Sequence, residues 1–102
     1  MTVIWTDTAQ EHLDEIYRYI ARDSALYAKR MVDRLTRRST QIAHFPFSGR
    51  EVPEFSLKQI RQVIEGSYRI IYYIKSDGID VLAVLHCAQS CLNDTDEKNG
   101  SI

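Results

Sequence analysis

Proline and glycine are scarce in this chain, with two prolines and four glycines among 102 residues. That excludes collagen-like and low-complexity chains, and it leaves few places where the backbone is told to break. Two cysteines, Cys87 and Cys91, are too few for a disulfide framework or a four-ligand metal site. Core packing is the expectation for Cys87, and no role is read into Cys91. No apolar run approaches the ~20 residues of a membrane-spanning helix. The opening Met1-Thr2-Val3-Ile4-Trp5-Thr6-Asp7 lacks a basic stretch followed by an apolar one. No secretory signal is therefore expected, and the cytoplasm is the expected location. What remains is one ordinary domain of 44% hydrophobic and 26% charged residues.

The chain also has little net charge, formally −1, but that figure hides an asymmetry. Residues 1–26 carry two basic and five acidic side chains, and residues 76–102 carry one and five. Between them, residues 27–75 carry ten basic and four acidic ones. A basic middle between acidic ends suits an anionic partner, such as nucleic acid or an acidic protein segment. A solvated helix face and strand-edge charges would give the same count.

Thr2 to Trp5 is apolar and β-branched and predicts an edge strand. Thr8-Ala9-Gln10-Glu11 has the capping-box spacing, with Thr6 a rival cap. Ala9, Leu13, Ile16, Tyr17 and Ile20 then recur at three and four residues, predicting an amphipathic helix to about Ala21. Asp23 or Ser24 caps a second helix, with Ala28, Met31, Val32, Leu35, Ile42 and Phe45 expected on its buried face. Lys29, Arg30, Arg34, Arg37 and Arg38 lie on its other face. The short link predicts an antiparallel helix hairpin. Pro46, Gly49 and Pro53 predict an irregular loop over 46–58. Strands are expected at 60–64, 68–75 and 79–86, with turns at Gly66-Ser67 and Ser76-Asp77-Gly78. The last strand is nearly all apolar and is expected to be central. Residues 1–89 thus read as one α+β domain of order β-α-α-β-β-β. Its helix hairpin packs on one face of a four-stranded, mainly antiparallel sheet. Residues 90–102 read as a polar, flexible tail.

This arrangement resembles the RelE/ParE superfamily, the toxin halves of bacterial type II toxin–antitoxin pairs. The resemblance runs over about residues 3–89. It is carried by Trp5-Thr6, Leu13-Asp14-Glu15-Ile16-Tyr17-Arg18-Tyr19-Ile20, Phe45-Pro46-Phe47-Ser48-Gly49-Arg50, Tyr68-Arg69-Ile70-Ile71-Tyr72 and Val84-Leu85-His86. It implies a cognate antitoxin, a toxin–antitoxin hetero-oligomer, and no cofactor or metal. RelE-like members cut mRNA in the ribosome, and ParE-like members inhibit DNA gyrase without chemistry of their own. By resemblance to the nuclease branch, Arg69 would face the phosphate, Glu54 would be the loop base and His86 the terminal-strand histidine. Cys87 stands where that branch has a catalytic tyrosine, and the lysine pair of RelE is missing, with only Lys58 nearby. The ParE-like reading is therefore preferred, with the ribosome-dependent nuclease as its alternative.

Each candidate residue also has an ordinary reading. Arg69 contacts a phosphate or target protein, or it pairs across strands with Glu65. Arg61, one strand away, is a candidate for the same face. Arg50 follows a loop glycine and either binds a phosphate bidentately or pairs with Glu51 or Glu54. His86 is a general base or a satisfied structural residue at a strand end. Tyr68 and Tyr72 share one face of their strand and Tyr73 the other, for sheet packing or base stacking. Arg30, Arg34, Arg37 and Arg38 form a solvated face or a surface that meets gyrase.

Overall fold

Two side-chain caps set the helix starts in the computed structural model, which describes residues 1–88. The Ala9 N–H donates to Oγ1 of Thr6 (3.2 Å), so Thr6, and not Thr8, caps α1 (Asp7–Ala21). Ser24, and not Asp23, caps α2 (Ala25–His44) by accepting from the Tyr27 N–H (3.1 Å). Thr6 also donates its hydroxyl to the Val81 carbonyl (2.7 Å), which ties the helix start to the sheet. The expected tail and Cys91 lie outside the described residues.

The sheet has five strands and not four. β1 (Val3–Trp5), β2 (Arg50–Glu51), β3 (Ile60–Glu65), β4 (Tyr68–Ile74) and β5 (Ile79–His86) lie in the order β1-β5-β4-β3-β2. β1 runs parallel to β5, and every other pair is antiparallel. The additional strand, β2, is two charged residues at an edge, a length and composition that carry no strand signal. It follows a short 3-10 turn, Pro46–Ser48, so the loop expected over 46–58 is partly ordered structure. β4 takes the centre, and β5 lies beside it, interior but not central.

One face of the sheet packs on the helix hairpin. Ala9, Ile16, Met31, Leu35 and Ile42 from the helices meet Val63, Ile70, Tyr72, Ile74, Val81 and Val84 from the strands. Phe45, expected in this core, is 65% exposed at the end of α2, and Val32 is half-buried. The chain leaves the helix there with φ −135° and ψ 70°, which breaks the apolar stripe. The other face carries a smaller core of Val52, Ile60 and Ile71, with Phe55, Ala83 and Leu85 packed against it. The segment between β2 and β3 covers it.

Register decides which face each side chain takes. β3 and β4 pair without interruption from Ile60↔Tyr73 to Glu65↔Tyr68. Gly66 makes the turn, at φ +60°, a conformation glycine adopts without penalty. Between β4 and β5 the register slips. Tyr72 opposes Val81 but Ile71 opposes Ala83, leaving Leu82 as a bulge.

Tyr72 is fully buried, and its hydroxyl donates to the Pro46 carbonyl (2.6 Å). Gly49 passes directly over that ring. A Cβ there would collide with the Tyr72 hydroxyl and stand 2.8 Å from the Gln62 carbonyl. The φ of Gly49 is an ordinary −70°, so close approach, not backbone freedom, demands glycine. Gly49→Ala is expected to cost about 2 kcal/mol, lowering Tm by roughly 8–16 °C. Thermal unfolding followed by circular dichroism checks this.

Candidate functional site

Arg69 lies on the face away from the helices and is only 7% exposed. Its guanidinium donates from Nη1 to Oε1 of Gln62 (3.0 Å) and from Nη2 to Oε2 of Glu54 (2.9 Å). Gln62 comes from β3 and Glu54 from the covering loop. A charge this buried is tolerable only beside an opposite charge. Arg69 does not pair with Glu65, the ordinary partner expected for it. Glu65 projects to the opposite face and accepts from Arg34 (Nη2, 2.6 Å) and Arg38 (Nη1, 2.9 Å) of α2. Those two hydrogen-bonded arginines hold the Glu65 carboxyl below its ordinary range.

Arg61 does not share a face with Arg69. It opposes Tyr72 and therefore projects toward the helix side. There it donates to the carbonyls of Lys58 (Nε, 2.7 Å) and Gly49 (Nη1, 3.1 Å) and stacks over the Phe47 ring at 5.0 Å. It also lies 3.9 Å from a Glu51 oxygen. Arg61 is thus a clamp on the loop that carries Glu54. Arg50 opposes Gln62 at the sheet edge and is exposed, on the same face as Arg69. It pairs with neither Glu51 nor Glu54. Of the helix arginines, Arg34 and Arg38 are committed to Glu65. Arg37 donates to the Asp33 carbonyl (3.3 Å), and Arg30 and Arg37 are exposed.

His86 is not with the other two nuclease candidates. It opposes Tyr68, on the helix side of the sheet, and meets that ring edge-on at 5.7 Å. Its Nδ1 accepts from the Ala88 N–H (3.2 Å). Without the bulge at Leu82, alternation along β5 would have put His86 on the face of Arg69. With it, Leu85 opposes Arg69, and His86 lines an open groove of about 670 Å³ between the helices and the β4–β5 end. His12, Glu15, Tyr19 and Tyr27 line the same groove. Cys87, expected in the core, is exposed, because the strand has ended.

Three features of these surroundings were not drawn from the sequence. Gln62 signals itself as a polar residue within an apolar strand. His12 signals itself as a polar residue one turn before Ile16 on the apolar stripe. Nothing in the sequence pairs the Arg61 guanidinium with backbone carbonyls. Among the described residues no group of histidine, cysteine and carboxylate side chains is placed to hold a metal, and none of their helices is long and apolar enough to cross a membrane.

Residues 3–90 match the family model of the ParE toxin of the type II toxin–antitoxin system parDE. The chain belongs to the ParE toxin family. Over 87 residues it is 31% identical to toxin RelE2 of Caulobacter vibrioides, covering 85% of this chain and 96% of that one. It is 34% identical over 87 residues to Y4kP of Sinorhizobium fredii, covering 83% and 86%. Its fold is similar to one in the chromosomal ParDE system of P. aeruginosa, with TM-score 0.69, 19% identity, and 84% and 95% of the two chains covered. It is similar also to one in the RelBE2 toxin–antitoxin complex of Mycobacterium tuberculosis, with TM-score 0.63, 20% identity, and 83% and 95% covered. The ParE toxin described here therefore has the expected α+β superfamily fold, with one strand more than expected.

Two consequences can be measured on the toxin. Glu54→Leu leaves Arg69 buried without its carboxylate and is expected to cost about 3 kcal/mol, whereas adding Arg69→Met should recover much of the loss. Urea unfolding of the single and double variants checks both. The Glu65 carboxyl titrates lower in the fold than in the unfolded chain. Its stabilisation is therefore complete above the ordinary glutamate value of 4.5 and is lost as pH falls through the depressed folded value. Glu65→Gln should flatten the acid limb of a stability–pH curve.

Proposed function

We propose that this ParE-family toxin inhibits DNA gyrase by binding, performs no chemistry, and is neutralised in the cytoplasm by a cognate antitoxin. The observation that carries this reading is the separation of Arg69 and Glu54 from His86 by the thickness of the sheet. Attack of a ribose 2′-OH on a phosphate needs base, acid and cation gathered at one phosphorus. Here Arg69 is already neutralised by Glu54, and Cys87 takes the place of a catalytic tyrosine. The family match supports the same reading. A gyrase inhibitor of this kind traps the state in which DNA is cut, so it must bind that state more tightly than the others. Exposed cations, Arg30 and Arg37 on α2 and Arg50 at the sheet edge, are the residues we assign to target contact.

The alternative is a ribosome-dependent mRNA endonuclease using Arg69, His86 and Glu54, and the similarity to toxin RelE2 favours it. One experiment separates the two. The purified toxin is added to gyrase, ATP and plasmid, and in parallel to an in vitro translation reaction read by primer extension. Blocked supercoiling or linear plasmid with intact message is the expected result, lost in the Arg30→Glu/Arg37→Glu double variant. Ribosome-dependent cuts in the message with supercoiling untouched would overturn the proposal.

A further inference from the structure

β1 pairs with β5 only from Ile79 to Val81. Beyond the Leu82 bulge, that edge of β5 has no strand beside it among the described residues, and a bare backbone donor there would be costly next to a core. The Val84 N–H on this edge donates instead to Nδ1 of His12 on α1 (3.1 Å). His12 is half-buried, and the residues around the bond belong to the main core, with Val84 3% and Ile16 8% exposed. The bond requires a lone pair on Nδ1, so the ring must be neutral with its proton on Nε2. An imidazolium has no acceptor, and two donors would then face each other.

We propose that His12 is a proton-operated pin between α1 and the open edge of β5. Neutral, it holds the Val84 amide. Protonated, it releases the amide and loosens the wall of the groove that both residues line. Glu15, one turn along α1, lines the same groove and offers the imidazolium a counter-charge. The other titratable groups facing the groove are Tyr19 from α1, Tyr27 from α2, Tyr68 from β4 and His86 from β5. His86 repeats the arrangement, since its Nδ1 also accepts from a backbone N–H. Two imidazoles in one groove therefore both depend on the neutral ring. The device stands on the geometry of α1 and β5, whichever target the toxin has.

The test is amide hydrogen exchange by NMR on the full chain, with the protection of Val84 read against Ile70 and Val63, which share its core. Between about pH 7.5 and about pH 5, Val84 protection should fall about fivefold to tenfold relative to those references. His12→Asn, whose side-chain oxygen accepts near the position of Nδ1 without titrating, should keep the protection and remove its pH dependence. His12→Phe should lose the protection at both pH values. The ring nitrogen shifts of the wild type give a second readout that needs no variant, with Nε2 carrying the proton at the higher pH. A flat Val84 protection in the wild type, or a proton on Nδ1, would overturn the proposal.

Discussion

A tyrosine hydroxyl buried in the middle of a sheet must find an acceptor, and the answer Tyr72 finds organises one whole side of the molecule. Its bond to the Pro46 carbonyl draws the 3-10 turn onto the end of β4. The next residues must then cross the ring at glycine distance, which places Gly49. From Gly49 the chain reaches the edge of β3 as β2, and Arg61 gathers the carbonyls of the same loop. Only a loop held this way brings Glu54 over Arg69. The buried ion pair is therefore the last consequence of a constraint that begins on the opposite face.

The buried pair also changes what an arginine in this strand means. A guanidinium kept in a low-dielectric place by a carboxylate is not a free cation for a phosphate. Cations open to a partner stand elsewhere, Arg30 and Arg37 on α2 and Arg50 on the two-residue edge strand among them. The charge asymmetry of the chain thus divides in three dimensions. Arg34, Arg38, Arg61 and Arg69 hold the fold together, and Arg30, Arg37 and Arg50 face outward.

Much of this was legible in the residues. Apolar spacing of three and four in α1 and α2, and alternation in β3 and β4, place the helix hairpin and the meander within a residue or two. The opposite faces of Arg61 and Arg69, candidates for one shared face, also follow from the residues. A two-residue turn at Gly66-Ser67 opposes Arg61 to Tyr72 and Ile64 to Arg69, and alternation does the rest. The face of His86 was not, because it depends on a single bulged residue, Leu82, within an unbroken apolar run. Alternation cannot announce a slip where both neighbours are apolar. β2 was hidden for a similar reason: two charged residues pair because a loop brings them to an edge, not because they prefer a strand.

The parallel pairing of β1 with β5 sets an order on how the molecule comes together. Thr6 and Val81, bonded at the start of α1, are 75 residues apart in the chain. On the ribosome the helix hairpin emerges early, with an apolar stripe that has nothing to cover it. β1 waits beside it, a strand without a neighbour, until almost the whole domain has been made. Contacts of such long range are the slow ones to close. Until β5 is available the chain therefore displays a sticky, half-built surface, and the domain closes only once both partners of that pairing are present.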